Sequence, residues 1–240
     1  MQLNRYLALC GVASRRSANE IIRQGRVTLN GESVIRLGVQ VDPEQDRIEV
    51  DGRPVQPAER LVTVLFNKPE SVLTTVSDDF GRKTVLDFIS LPDRIFPIGR
   101  LDFNTTGVLL LTNDGDLAYR LAHPKYEIDK VYQAWVTGIV QPDVLEQLQS
   151  GVEIDEGVVV NGDTKILRTK KDRNLIEIRI HQGKKRQIKR MMKAVGHPVL
   201  SLERTCFAGL TVQNLKRGEW RELSEGEVRK LYEMTGLKSE

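Results

Sequence analysis

FPIGRLDFNTTGVLLLTNDG, residues 96–115, pairs a polar turn with an apolar run and holds a single carboxylate, Asp102, ahead of the run. The run TGVLLLT, residues 106–112, is nearly all apolar but too short for an isolated helix, so it reads as a central strand buried on both faces. Asn113-Asp114-Gly115 ends it as a turn. Asp102 therefore stands at the mouth of a buried strand, two residues after Arg100. Three readings are open for it: a turn cap, a salt-bridge partner of Arg100, or a reactive carboxylate.

Outward from that strand, more strands follow. LVTVLFNKP (61–69) reads as a strand closed by Pro69, KVYQAWVTGIV (130–140) as an alternating strand, and GVVVNGDTKILRTKKDRNLIEIRIHQG (157–183) as three strands with a turn at Asn161-Gly162. Helices are interspersed irregularly. TVLDFISLP (84–92) is a short one, DLAYRLAHP (116–124) ends at Pro124, QPDVLEQLQSGV (141–152) has Pro142 in its first turn, and SEGEVRKLYEMTG (224–236) opens with the capping box Ser224 and Glu227. Strands in the majority with irregular helices predict an α+β fold around a mixed, mainly antiparallel sheet with flanking helices.

The N-terminal stretch is different in kind. In LNRYLALCGVASRRSANEIIRQGRVTLNG (3–31), Leu3, Tyr6 and Leu7 recur at helical spacing before Gly11, and Ser14 can cap a second helix whose apolar stripe is Ala18, Ile21 and Ile22 and whose end is Gly25. Hairpin turns follow at Asn30-Gly31 and Asp51-Gly52. This is a small module, expected over residues 1–58, with QPAERL (56–61) as its edge and a larger domain over 59–240. A chain of 240 residues accommodates both.

Composition is ordinary for a globular protein, and no apolar stretch approaches the length of a membrane span, so a cytoplasmic protein with no membrane partner is expected. Cys10 and Cys206 stand far apart without metal-ligand spacing and read as small buried side chains; no metal site, no Gly-rich nucleotide loop and no cofactor are expected. Asn104-Thr105-Thr106 matches a glycosylation acceptor only by accident in such a chain. His123 and His197 precede prolines in turns and His181 sits in a strand, which are structural settings.

The net charge of +3 is small, but it is unevenly spread. Arg15 and Arg16 occupy the first turn of the second helix, where the helix dipole disfavours cations and a phosphate would compensate them. A helix expected over 184–195 carries Ile188, Met191, Met192 and Val195 on one face and Arg186, Lys189, Arg190 and Lys193 on the other, with no acid at i,i+4. Nucleic acid phosphate is the favoured counterion of such a stripe.

Three segments together, LFNKPESVLTT (65–75), GRLDFNTTGVLLLTNDG (99–115) and HQGKKRQIKRMMKAVGHPV (181–199), resemble the pseudouridine synthases of the small-subunit rRNA type (RsuA-like), and residues 3–31 resemble the S4 RNA-binding domain that precedes them. The resemblance spans nearly the whole chain. It implies isomerisation of a uridine in RNA to pseudouridine without cofactor or metal, with ribosomal RNA or a ribosome-assembly intermediate as partner. By position, Asp102 would attack the nucleotide at ribose C1′ or uracil C6, or take a ribose proton. Arg100 would help expel the base from its helix, and Tyr132 would stack on it and aid proton loss from C5. The cation paired with the aspartate falls on Lys189, where many relatives carry arginine, and Arg186, standing where many carry histidine, is a second candidate. Arg15, Arg16, Arg100, Arg186 and Arg190 form the implied RNA-binding set. A monomer and a large-subunit rRNA target are the expectations, set against a small-subunit target or a non-catalytic RNA-binding assembly protein.

Overall fold

The structure is a computed structural model describing residues 1–58 and 60–238. Its Cα packing divides the chain into a unit of Met1–Val62 with Leu91–Ile95 and Asn113–Gly115, and a larger unit comprising Thr63–Ser90, Phe96–Thr112 and Asp116–Glu240. The expected boundary at 58/59 falls on residue 59, which lies outside the described residues.

In the smaller unit, helix α1 (Leu3–Leu9) buries Leu3, Tyr6 and Leu7, and α2 (Arg15–Arg23) buries Ala18 and Ile22 against them. Ser14 accepts from the Ser17 N–H and so caps α2, and Gly25 at φ 69° ends it. Strands β1 (Val27–Leu29), β2 (Glu32–Val34), β3 (Ile48–Val50) and β4 (Arg53–Pro54) form an antiparallel sheet in the order β2-β1-β3-β4. The β1–β2 and β3–β4 hairpins turn at Asn30-Gly31 and Asp51-Gly52, all four residues having positive φ, as a type I′ turn requires.

The larger unit is built on a sheet of nine strands. These are β5 (Thr63–Lys68), β6 (Phe96–Pro97), β7 (Thr105–Thr112), β8 (Lys130–Thr137), β11 (Asp163–Lys170), β12 (Arg173–Ile180), β13 (Val199–Phe207), β14 (Leu210–Thr211) and β15 (Trp220–Glu222), while β9 (Val152–Asp155) and β10 (Val158–Val160) form a separate hairpin. The main path runs β11-β12-β8-β13-β7-β5-β15, with β14 on β13 and β6 on β7. Every pairing is antiparallel except β13 with β7, so the sheet is mixed and mainly antiparallel as expected. All eight residues of β7 are buried, which suits the apolar run of residues 106–112. Helix α3 (Gly115–Ala122) and helix α6 (Glu225–Thr235) pack Leu117, Leu121 and Leu231 on Val108, Leu110 and Phe207 of the sheet. Ser224 and Glu227 make the capping box of α6. Helix α4 (Pro142–Ser150) lies between β8 and the β9–β10 hairpin in sequence.

Strands β7 and β13 approach closely at Gly107. Its φ is 101°, and a Cβ there would lie 2.1 Å from the carbonyl oxygen of Arg204. Only glycine lets β13 come so near β7.

Several local expectations are corrected. The β9–β10 hairpin turns at Glu156-Gly157, so β10 pairs back to β9 and Asn161-Gly162 is a connection, not a hairpin turn. The short helix at 84–92 is one 3₁₀ turn, Val85–Phe88. The helix expected over 184–195 is α5, Gln187–Ala194, because Arg186 sits at φ 52° in the left-handed region and Lys184 and Gln187 close a turn before it. Cys10 and Cys206 are half-buried rather than buried, and burial pushes the Cys10 thiol up to about 11.

Candidate active site

The turn between β6 and β7 carries Asp102, and three neighbours hold its backbone. The Thr105 N–H donates to the Asp102 carbonyl at 3.0 Å. Thr74 donates its hydroxyl to the Leu101 carbonyl at 2.8 Å, and the Ser71 N–H donates to the Phe103 carbonyl at 2.9 Å. Beneath the turn, the Lys68 ammonium at the end of β5 is 0 % exposed and donates to the carbonyls of Pro69, Asp102, Phe103 and Thr105 at 3.0, 3.2, 3.4 and 3.0 Å. Burial pulls its pKa down to about 8, against the opposing attraction of Asp102 and Glu70. Backbone carbonyls thus replace water around a charge that no carboxylate among the described residues pairs with directly.

The Asp102 side chain neither caps this turn nor reaches Arg100. It makes an ion pair with Lys189 of α5, Oδ2 to Nζ 3.3 Å, with side-chain exposures of 34 % and 21 %. Asp102 lines a cavity of about 430 Å³, whose walls also include Arg100, Tyr132, Ile180, Arg186 and Leu202, while Lys189 is not among its lining residues. Tyr132, on β8, is 8 % exposed at this wall. Lys184 and Lys185 complete a cationic rim with Arg186 just ahead of α5.

The geometry therefore brings together Asp102, Tyr132, Lys189, Arg100 and Arg186. It does not bring Arg190 to the cavity. The Arg190 guanidinium pairs with Asp155 of β9 and donates to the carbonyls of Lys185 and Ile154, tying the β9–β10 hairpin to α5. The stripe has no acid at i,i+4, and two of its cations take partners from distant segments: Asp102 pairs with Lys189 and Asp155 with Arg190. Arg186 and Lys193 stay exposed, with no acidic partner among the described residues. In the smaller unit Arg15 and Arg16 are exposed at the start of α2, a turn without an acid, and Arg15 donates to the Gln2 side chain at 3.3 Å.

Three buried cations near the site escaped sequence reading, Lys68, Lys130 and Arg204. Lys68 sits at the end of LFNK, where a charge closing an apolar strand looks like a surface terminus; an all-buried β5 is what gives it away. Arg204, 2 % exposed, lies in a strand of alternating exposure and carries no local signal.

Residues 62–194 match the family described as RNA pseudouridylate synthase, and residues 1–46 match the S4 domain. The chain is 45 % identical to "Ribosomal large subunit pseudouridine synthase B" of Bacillus subtilis, over 96 % of this chain and 95 % of that protein. It is 44 % identical to an "Uncharacterized RNA pseudouridine synthase" of Aquifex aeolicus, over 99 % of this chain and 96 % of that protein. A solved structure described as a pseudouridylate synthase superposes with a TM-score of 0.70 at 28 % identity, covering 96 % of this chain and 99 % of that one. An aspartate clamped at a strand mouth, lining an open cationic cavity and paired to a lysine of α5, thus sits in a chain that belongs, over nearly its whole length, to the S4-bearing RNA pseudouridine synthases.

Proposed function

We propose that this chain converts one uridine of large-subunit ribosomal RNA to pseudouridine, with Asp102 as the attacking group. Asp102, paired with Lys189 and lining an open cavity, carries the reading, because each of the three routes available to the aspartate begins from an ionised carboxylate with room for a nucleotide beside it. The reaction breaks the N1–C1′ bond, turns the uracil, joins C5 to C1′, moves the C5 proton to solvent and leaves a proton on N1. Tyr132 on the cavity wall offers the uracil a ring to stack on while it is detached and stands where the C5 proton leaves. Lys189 holds the carboxylate in place and can follow it as charge moves to the substrate.

A uridine inside a helix cannot reach this pocket until it is flipped out, at a cost of a few kcal/mol for lost stacking and pairing. Arg100, exposed on the rim two residues from Asp102, is placed to hold the opened helix. Lys184, Lys185 and Arg186, which line the same cavity, would meet the phosphates. The S4 unit adds Arg15 and Arg16 at the start of α2, where phosphate would satisfy both the arginines and the helix end. The large-subunit target draws its support from the Bacillus subtilis relative, a ribosomal large subunit pseudouridine synthase. A monomer acting in the cytoplasm on ribosomal RNA or an assembly intermediate completes the proposal.

Asp102→Asn tests it. With RNA carrying tritium at uridine C5, the wild type should release tritium to water as C5 joins C1′, while D102N should release none and still bind RNA. Tritium release by D102N at the wild-type rate would remove Asp102 from the chemistry. Mapping pseudouridines in both ribosomal RNAs after deleting the gene identifies the site, and a lost small-subunit pseudouridine would overturn the target.

A further inference from the structure

Arg204 is buried to 2 % exposure on β13, directly across from Tyr132 of β8 and from Gly107 of β7 in strand register. Among the described residues no carboxylate pairs with it. Its Nε donates to the Val108 carbonyl at 2.7 Å, while its Nη2 is buried with no hydrogen-bond partner. Its guanidinium lies 4.6 Å from the ring centre of Phe207 and 6.0 Å from that of Tyr132. Lys130, also buried, approaches the same Phe207 ring to 5.5 Å and donates to the carbonyls of Ile128 and His181. Two cations side by side in a core, neither in an ion pair among the described residues and one with an orphaned N–H, are costly to bury. A structural role does not explain them, since an apolar side chain of similar size would fill the space at less cost.

What the arginine does provide is a fixed plane. Val108 holds one end of the guanidinium, Phe207 stacks on it, and the close approach at Gly107 presses the Arg204 backbone against β7, so the group cannot swing. The ring it meets on the cavity side is that of Tyr132. We infer that Arg204 is a positioning residue for Tyr132, setting by cation–π contact the ring orientation that receives the flipped base. This rests on the assignment of Tyr132 and Asp102 to a pseudouridine synthase site. Arg204 touches no reacting atom; it acts through the tyrosine.

The test is Arg204→Met in the full chain, read beside Tyr132→Phe and the double variant in single-turnover tritium release. R204M should lose about tenfold or more in the chemical rate with RNA affinity and KM unchanged, the signature of an interaction used in the transition state. Its Tm should equal or exceed that of the wild type, whereas a merely structural arginine would lower it. In the Y132F background R204M should cost less than about twofold, since the ring it orients no longer performs its full role. A wild-type rate in R204M, or a loss undiminished in Y132F, would overturn the inference. If R204M does not fold, Arg204→Lys is read in its place: it keeps the charge but loses the planar stack and the Nε donor, and it should show the same rate loss and the same coupling to Y132F. An unchanged rate in R204K, or an uncoupled one, overturns the inference too. Tritium release by the wild type and its absence in D102N establish the enzyme reading separately, so either can fail without the other.

Discussion

Lys68→Met removes the ammonium beneath the Asp102 turn while keeping most of the side-chain volume. Two opposing terms result. The wild-type ammonium is disfavoured by burial, and a fall from 10.5 to about 8 corresponds to about 3 kcal/mol. Against that gain, the carbonyls of Pro69 and Thr105 lose their side-chain donor, at about 1–3 kcal/mol each where nothing replaces it. Those of Asp102 and Phe103 keep backbone donors. The net change at neutral pH is therefore small, within about 2 kcal/mol, but its pH dependence is not. The folded pKa lies below the unfolded one, so between about pH 8 and 10.5 the unfolded chain holds a proton that the folded chain has released, and this group's contribution to stability rises with pH. Urea unfolding at pH 7.5 and pH 10 should show the wild type gaining about 2 kcal/mol relative to K68M across that interval. Single-turnover tritium release at pH 7.5 should fall in K68M by about tenfold or more, because the turn no longer holds the Asp102 carboxylate in register with Lys189. Equal pH dependence in the two proteins would show that Lys68 is not a buried ammonium, and an unchanged rate would show that the turn holds its geometry without it.

Two further outcomes follow from separate parts of the molecule. Replacing Arg15 and Arg16 by alanine should weaken RNA binding and reduce the slope of log K against log salt by about one for each phosphate no longer neutralised; an unchanged slope in a salt titration would make both arginines ordinary surface residues. Gly107→Ala forces a methyl group to within 2.1 Å of the Arg204 carbonyl oxygen at a φ of 101°, and should destabilise the larger unit by about 2–4 kcal/mol, with a roughly 5–15 °C drop in Tm by calorimetry. A wild-type Tm would mean that β13 can back away from β7.

What could be read ahead of the structure was local. Ser14, Ser224 with Glu227, Asn30-Gly31 and Asp51-Gly52 each state a backbone requirement within a few residues, and each forms the cap or turn that its chemistry demands. The run from Thr106 to Thr112 was legible because nothing but a strand buried on both faces accommodates it. The start of α5 was not: Lys184, Lys185 and Arg186 all favour helix by composition, and only the Lys184–Gln187 turn and the left-handed Arg186 delay it. Arg190 looked like part of a nucleic-acid face because its partner, Asp155, comes from a hairpin whose first strand shows only a weak alternating pattern. Asp102 was singled out by its surroundings in the chain, but its pairing with Lys189 is made by the sheet and helix packing.

Apart from the exposed rim, the cations around this site fall into two kinds, and the difference bears on mechanism. Lys68, Lys130 and Arg204 are buried and solvated by backbone carbonyls, and no carboxylate forms an ion pair with any of them among the described residues. Lys189 is the cation given to the carboxylate, and that pair is left about a fifth to a third exposed. A fully buried ion pair would be costly to separate, because parting it leaves a desolvated charge on each side. A partly exposed pair whose carboxylate opens on the cavity can exchange part of its mutual attraction for interactions with an incoming nucleotide while water still shields what is left uncovered. Had Lys68 been a direct ion-pair partner of Asp102, the aspartate would be locked beneath its own turn. By binding that turn's carbonyls instead, Lys68 fixes the backbone and leaves the carboxylate free to face the substrate.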